Sequence, residues 1–443
     1  MHTLEQLRAG ELAGIQRLDL SAGLTEFPTE IFELADSLEI LNLSGNSLST
    51  LPDGLGRLHK LRILFCSDNQ FTTVPKVLGQ CPQLSMVGFK ANQIHTLPGA
   101  SLPPLLRWLI LTDNCLTTLP NELGACTHLQ KLMLSGNQLT HLPESMAACT
   151  NLELLRIAAN RFDTLPEWLL ALPRLSWLAY AGNPFCEEIE AAVVKQHPIT
   201  SIDWRQLTVQ QKLGEGASGV IYQAQWHSDS ATLREVAVKL FKGAVTSDGL
   251  PHSEMAACIS AGAHPNLIAV EGKITEHLTN AEGLVLDLID PSFRILAGPP
   301  SLASCTRDVY NADTVFSLDT ALHLAHGIAS AAAHLHARGI LHGDLYAHNI
   351  LTTSAGDCLL GDFGAACFFD SSSPMAHRLQ RLEARAFACL LEELLAHCEP
   401  TASAAFHALT ALERRCAQPE VAARPLFAEI EQVLADLQVK IGQ

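Results

Sequence analysis

Three oxygen-bearing side chains in the last third of the sequence are spaced for work on a metal-bound phosphate. In HGDLYAHNIL, residues 342–351, Asp344 and Asn349 bracket a short loop that runs into an apolar, strand-like end, and Asp362 follows in CLLGDFGAA. Carboxylate and amide oxygens suit a hard divalent cation such as Mg²⁺. A carboxylate in the same loop can accept or orient a hydroxyl proton. Upstream, QKLGEGASGVIYQAQW sets Gly214, Gly216 and Gly219 in G-x-G-x-x-G spacing, and EVAVKLF carries Lys239 between apolar neighbours. Glycines let backbone N–H groups approach an anion without Cβ interference. A dinucleotide-binding turn would continue into a helix. Here VIYQAQW is strand-like, so the glycines belong to a hairpin that can lie over phosphates. A lysine in an apolar strand is an edge charge or a buried cation with a task, and the glycine hairpin before it favours the second.

The chain that must position these groups has 443 residues, too many for one ordinary core, so two or three domains are expected. With 48% hydrophobic and 17% charged residues, the composition is that of packed globular domains rather than disorder. A formal charge of −17 argues against general binding to nucleic acid or to anionic membranes. MHTLEQLRAGELAG lacks the basic patch and apolar core of a secretory signal, and no run of 18 apolar residues occurs. A cytoplasmic protein without a membrane span is expected. The 13 cysteines stand singly, without C-x-x-C pairs, as reduced thiols would, and none of the 19 histidines has metal-site spacing.

The first half repeats itself. LEILNLSGNSLSTLP, LQKLMLSGNQLTHLP and LELLRIAANRFDTLP are copies of one template, whose Asn recurs at 46, 69, 92, 114, 137, 160 and 183, at intervals of 22 or 23 residues. A weaker unit, LDLSAGLTEFP, stands in front with Gly23 in place of the Asn, giving about eight units. Relative to each Asn, apolar residues fall at −8, −5, −3, +2 and +5 with Pro at +6. The L-x-L section alternates like a half-buried strand, and the Asn can bond neighbouring backbone groups inside the stack. This resembles the leucine-rich repeat family, of the type carrying an LP dipeptide. The resemblance implies an α/β solenoid over residues 1–186 whose concave face carries the residues between the strand leucines. Those are Ile40, Ile63, Phe65, Met86, Trp108, Ile110, Met133, Leu154 and Trp177, with Lys131 among them. Such an apolar stripe is a candidate surface for a protein partner. Packing against the rest of the same chain is the other reading.

PFCEEIEAAVVKQHPITSIDW breaks the period with a short helical run and then strand-like residues, so 187–204 reads as a cap and linker. From 205 to the end at 443 the order of motifs resembles the protein-kinase family, which implies an α+β bilobal fold. The glycine hairpin and V-A-V-K come first. HSEMAACISAGAHPNLI is similar to the family's helix C, with Glu254 as partner of Lys239. LVLDLID looks like the strand leading to the hinge, with Leu286 as gatekeeper, and TALHLAHGIASAAAHLHARGI like the long helix before the catalytic loop. HGDLYAHNIL matches H-R-D-L-x-x-x-N-I-L, Asp362, Phe363 and Gly364 form D-F-G, and Arg424 lies in a closing R-P.

The resemblance implies ATP and Mg²⁺ as cofactors and a protein hydroxyl as acceptor, Ser/Thr or Tyr. Asp344, Lys239 and Asn349 would be catalytic, and Asn349 and Asp362 the metal ligands. The nucleotide would contact Gly214, Glu215, Gly216, Gly219, Ile221, Ala237, Lys239, Glu254, Asp287, Ile289, Asn349 and Asp362. The match departs from the family at three places. Gly343 replaces the Arg that pairs with a phosphorylated activation segment, so activity is expected not to need that phosphate. Tyr346 replaces the Lys of Ser/Thr-specific members. Only 18 residues, 365–382, separate Gly364 from Glu383, the residue in the Asp position of helix F, and no A-P-E is present. A small-molecule phosphotransferase of the same fold, or a non-catalytic pseudokinase scaffold, are the alternatives.

Overall fold

The computed structural model describes residues 2–196, 199–216, 218–227, 233–242, 245–246, 248–399 and 403–441. Ala217 of the glycine hairpin and residues 197–198 of the cap segment lie outside these. The chain divides into two compact units, Met1–Arg174 and Leu175–Gln443.

In the first unit a short helix α1 (Leu4–Arg8), capped by Thr3, precedes seven three-residue strands, one per repeat. They are β1 (Arg17–Asp19), β2 (Ile40–Asn42), β3 (Ile63–Phe65), β4 (Met86–Gly88), β5 (Trp108–Ile110), β6 (Lys131–Met133) and β7 (Leu154–Arg156), each parallel to the next and in register. The middle residue of each (Leu18, Leu41, Leu64, Val87, Leu109, Leu132 and Leu155) is buried. Each buried aliphatic side chain contributes roughly 1.5–3 kcal/mol. The prolines that close the repeats lead into short 3₁₀ segments on the other side of the coil, as at Pro52, Pro75, Pro120 and Pro143.

The repeated Asn satisfies backbone groups that strands this short leave over. Asn137 Nδ2 donates to the carbonyls of Leu111 and Leu134, 2.8 and 2.9 Å away, and its Oδ1 accepts from the Leu116 amide at 3.0 Å. Asn46, Asn69, Asn114 and Asn160 make the same bridges one coil apart. A chain of such bonds explains why the period tolerates so little drift.

The eighth repeat strand, β8 (Trp177–Ala179), opens the second unit together with helix α2 (Pro184–Gln196). The compact division therefore falls before the last copy of the repeat, earlier than the loss of period suggests. A six-stranded sheet follows, in the order β10–β11–β12–β14–β13–β9. Its strands are β9 (Ser201–Asp203), β10 (Leu207–Glu215), β11 (Gly219–His227), β12 (Leu233–Phe241), β13 (Val270–Thr275) and β14 (Gly283–Asp287). Helix α3 (Pro251–Ala261) lies between β12 and β13 in the chain. Ile202, Leu207, Ala224, Val236, Val238, Ile274 and Val285 form this lobe's core, so the end of the cap segment becomes an edge strand of the lobe.

The other lobe is helical, with α4 (Leu318–Ala337), α5 (Ala376–Ala396), α6 (Ala404–Cys416) and α7 (Phe427–Ile441). Two small sheets join them: β15 (Arg294–Ile295) with the hairpin β17 (Ile350–Thr352) and β18 (Cys358–Leu360), and β16 (Ile340–Leu341) with β19 (Cys367–Phe368). Helix α4 starts at a Ser317 side-chain cap and packs its Leu- and Ala-rich face on α7 and α5. Among the described residues no helix is long and apolar enough to cross a membrane.

Asn137→Ala leaves the buried Leu116 amide without its partner and takes one of two side-chain donors from the Leu111 and Leu134 carbonyls, which Asn114 and Asn160 still reach. It should destabilise the first unit by about 1–3 kcal/mol in denaturant unfolding, a cost that surface Asn substitutions do not carry.

Candidate active site

Lys239 sits on β12, opposite Ile221 of β11 and Leu284 of β14. Its Nζ donates to Glu254 Oε1 on α3, and the two side chains are only 13% and 2% exposed. Burial works against the ammonium, but Glu254 and then Asp362 more than offset it, so the Lys239 pKa lies above its ordinary value. Helix α3 places Glu254 there because Pro251 starts the helix, holding Glu254 in its first turn. At the glycine hairpin, Gly216 N donates to the Gly219 carbonyl at 2.9 Å. A Cβ on Gly219 would lie 2.5 Å from the Leu240 carbonyl oxygen, whereas Gly214 and Gly216 face open space. A cavity of about 170 Å³ results, lined by Gly216, Ser218, Gly219, Lys239, Asp362 and Gly364, with Thr246 and Asp248 also on its wall.

The catalytic loop is built on buried hydrogen bonds. His342 is fully buried and its Nε2 donates to the Gly361 carbonyl at 2.8 Å, while its Nδ1 accepts from the Asp344 amide at 3.3 Å. Asn349 Nδ2 donates to the Asp344 carbonyl (2.9 Å) and to its carboxylate Oδ2 (2.8 Å). The Gly361 amide donates to the Asn349 carbonyl at 2.9 Å, and β17 pairs with β18 just beyond, so the hairpin sets Asn349 beside the residue preceding Asp362. Beneath the loop, Glu383 of α5 accepts from the Gly343 amide (2.7 Å) and from His336 Nε2 (2.6 Å). Burial alone would raise this carboxyl's pKa, but His336, His342 and the Gly343 amide prevail and hold it below the ordinary value.

The arrangement suits a metal-bound triphosphate. Asn349 uses its amide nitrogen on Asp344, which leaves its carbonyl oxygen as the atom for a cation beside the Asp362 carboxylate. Both are hard oxygen donors. Lys239 and the hairpin amides supply positive ends to the same cavity.

The side chains of Glu215 and Asp287, also named from sequence, are engaged. The Glu215 carboxylate is taken by Lys212 and Lys242. Asp287 pairs with Arg234 through its side chain, and its amide donates to the Ala269 carbonyl at 3.0 Å as part of the sheet. Ala237 is buried in β12, and the half-buried Ile221 of β11 lies on the wall of the cavity beside Lys239. On the repeat strands, Ile40, Phe65, Trp108 and Ile110 are half-buried, but Ile63, Met86, Met133, Leu154 and Trp177 are buried. The expected continuous exposed stripe is thus reduced to four residues.

Arg424, which lacks an A-P-E glutamate, is buried against carbonyls. Its Nε donates to Gln418 O (2.7 Å) and a terminal nitrogen to Arg381 O (3.2 Å). Burial pushes its pKa down to about 10. Sequence reasoning missed Asp308, whose carboxylate accepts from both the amide (2.9 Å) and Nδ1 (2.7 Å) of His348, next to Asn349. Asp308 lies in an irregular segment with no periodic signal. It also named no contacts for Trp177, whose Nε1 donates to the Leu345 carbonyl at 3.0 Å, or for Tyr180, whose Oη donates to the Phe368 carbonyl at 3.2 Å.

Residues 207–389 match the sequence pattern of protein tyrosine and serine/threonine kinases, and 37–58 and 127–185 match leucine-rich repeats. The second unit contains a protein-kinase domain, at 207–389. Relatives of this kinase domain include a Dictyostelium discoideum protein described as a probable serine/threonine-protein kinase, 30% identical over 35% of this chain and 8% of its own length. Serine/threonine-protein kinase mos of Gallus gallus is 26% identical over 40% of this chain and 52% of its own. Serine/threonine-protein kinase PITSLRE of Drosophila melanogaster is 28% identical over 35% and 15%. The chain thus spans between 8% and 52% of the length of these relatives. Among solved structures, a leucine-rich repeat protein of Leptospira interrogans is 30% identical, covering 41% of this chain and 47% of its own, at a TM-score of 0.38.

Within the kinase domain Glu383 has a lowered pKa, so its stabilising charge is present above the ordinary glutamate value, about 4.3, and is lost as pH falls through the lower folded value. The melting-temperature deficit of Glu383→Gln should therefore be largest near neutrality and close as pH drops below about 4, measured by thermal unfolding across pH.

Proposed function

We propose that the kinase domain transfers the γ-phosphate of Mg-ATP to a protein hydroxyl, and that the repeats present a protein partner or substrate to it. The observation that carries this reading is the formed Lys239–Glu254 ion pair, in the same unit as the Asp344–Asn349 hydrogen bonds. A degraded domain has no reason to keep a cation this buried. Bound Mg²⁺ would neutralise charge on the transferring phosphoryl group. Lys239, charged and oriented by Glu254, would hold the α- and β-phosphates. Asp344, aimed by Asn349 and by the His342–Asp344 contact, would take the acceptor's proton. Asn349 and Asp362 would hold the metal.

Tyr346 cannot replace the lysine of Ser/Thr-specific kinases as a cation, and its ring is buried. We favour Ser/Thr as acceptor on the strength of the relatives' descriptions. The short segment between Gly364 and α5, which begins at Ala376, keeps a small-molecule acceptor as the second reading. For the repeats, the half-buried Phe65, Trp108 and Ile110, with Lys131 Nζ 4.3 Å from the Trp108 ring centre, form the patch best suited to an apolar partner segment with an acidic neighbour. All thirteen cysteines are unpaired, which fits a reducing compartment such as the cytoplasm.

Incubated with labelled ATP and Mg²⁺, the wild type should phosphorylate itself or a protein substrate. Asp344→Ala should be slower by about 10²–10⁴-fold. Equal labelling of both, or of neither, contradicts the reading, and consumption of ATP only with a metabolite present favours the small-molecule alternative. Trp108→Ala should abolish retention of a partner captured by the repeats while leaving transfer to a generic peptide unchanged.

A further inference from the structure

Residues of the last repeat strand lie directly on the catalytic loop. Trp177 is 1% exposed, its Nε1 donates to the Leu345 carbonyl at 3.0 Å, and its indole stacks on Tyr346 with ring centres 4.1 Å apart and planes 8° from parallel. Three residues on, Tyr180 Oη donates to the Phe368 carbonyl (3.2 Å), and the Tyr180 amide donates to Cys367 Sγ (3.0 Å), both on β19. Between them, the Leu178 carbonyl oxygen lies 2.9 Å from where a Cβ on Gly343 would stand. The strand thus touches the loop on both sides of Asp344. Helix α2 continues the same segment and reaches α3, where Glu190 accepts from Ser253 Oγ at 3.3 Å and lies 3.8 Å from His252 Nε2. Those two residues immediately precede Glu254.

We infer that Trp177 is a positioning residue for Asp344, and that the end of the repeat array holds the catalytic loop in working order without a phosphate on the segment after Gly364. The argument is one of satisfied groups. The Leu345 carbonyl follows Asp344 directly and is buried, so without the indole N–H it would lose its partner and the peptide would turn to find another. The ring stack fixes the next residue, Tyr346, at the same time. With residues 344 to 346 held by one side chain, the Asp344 carboxylate keeps a single direction toward Asn349. No cationic side chain could enter at 343, because the repeat strand's backbone already occupies that space.

This rests on Asp344 acting in phosphoryl transfer, and two independent readouts separate the two claims. Trp177→Ala should raise amide hydrogen exchange over 342–349 and lower kcat about 10- to 100-fold, with KM for ATP within about twofold of wild type because Lys239 and the glycine hairpin are untouched. Trp177→Phe keeps the stack and lacks the donor, so it should fall between, and it serves if the alanine variant does not fold. Leu132→Ala, which opens a hole in the first unit, should lower stability with kcat and loop exchange unchanged. Native exchange over 342–349 and native kcat in both Trp177 variants would overturn the inference. So would kcat losses in Leu132→Ala matching those in Trp177→Ala. If the wild type transfers nothing, the transfer reading fails while loop exchange still decides whether Trp177 holds the loop.

Discussion

The peptide of Gly343 is the constraint on which the catalytic lobe turns. Its φ is +72°, a left-handed conformation, and an added Cβ would lie 2.4 Å from the Ala365 carbonyl oxygen and 2.9 Å from that of Leu178. Its amide is spent on Glu383, a carboxylate buried in the core of the lobe. A buried charge of this kind persists only when fully hydrogen-bonded, and here His336 and the Gly343 amide share it. Glycine is therefore required by three independent features at once: the backbone conformation, the segment after Gly364 and the neighbouring strand β8. The same position that departs from the kinase pattern is the one that lets a repeat strand come this close.

Charge and hydrogen bonding are closed elsewhere in the lobe by similar economies. The segment after Gly364 is reduced to β19 and one turn before α5 begins at Ala376. With that segment short, Arg424 donates to the carbonyls of Gln418 and Arg381. The lobe thereby keeps its packing while giving up the surface on which a long activation segment would lie. The residues that remain around Asp344 are anchored by His342 Nε2 on the Gly361 carbonyl and by the His348 amide on the Asp308 carboxylate. Such anchors do not depend on a modification being added or removed.

Much of this was legible in the sequence, for physical reasons that differ by region. The repeats could be read because one Asn must bridge successive coils, and Asn137 with its partners shows the geometry that enforces the spacing. Lys239, Glu254, Asp344, Asn349 and Asp362 stood out because a metal-nucleotide demands few residue types in a strict order, and Lys239 and Glu254 meet in the structure. Glu383 was readable as an acid at a fixed place, but not as the partner of His336. Trp177 was placed in the apolar stripe, and of the two readings given for that stripe it follows packing against the rest of the same chain. Strand periodicity says which face a side chain points from, not what covers that face, and Tyr346 covers it. Asp308 left no trace, since a single acidic residue in an irregular segment has no period to betray it. For Arg424 the sequence offered the motif and no partner, because backbone carbonyls are invisible to residue types.

The central claim is that the catalytic loop is formed by the fold itself. It is tested most directly by the time course of phosphoryl transfer from protein first stripped of all phosphate and checked by mass. The account predicts transfer that is linear from the first measurable point, at a rate unchanged by prior incubation with Mg-ATP. A lag that shortens with such incubation, or transfer that begins only after phosphate appears between Gly364 and α5, would contradict it.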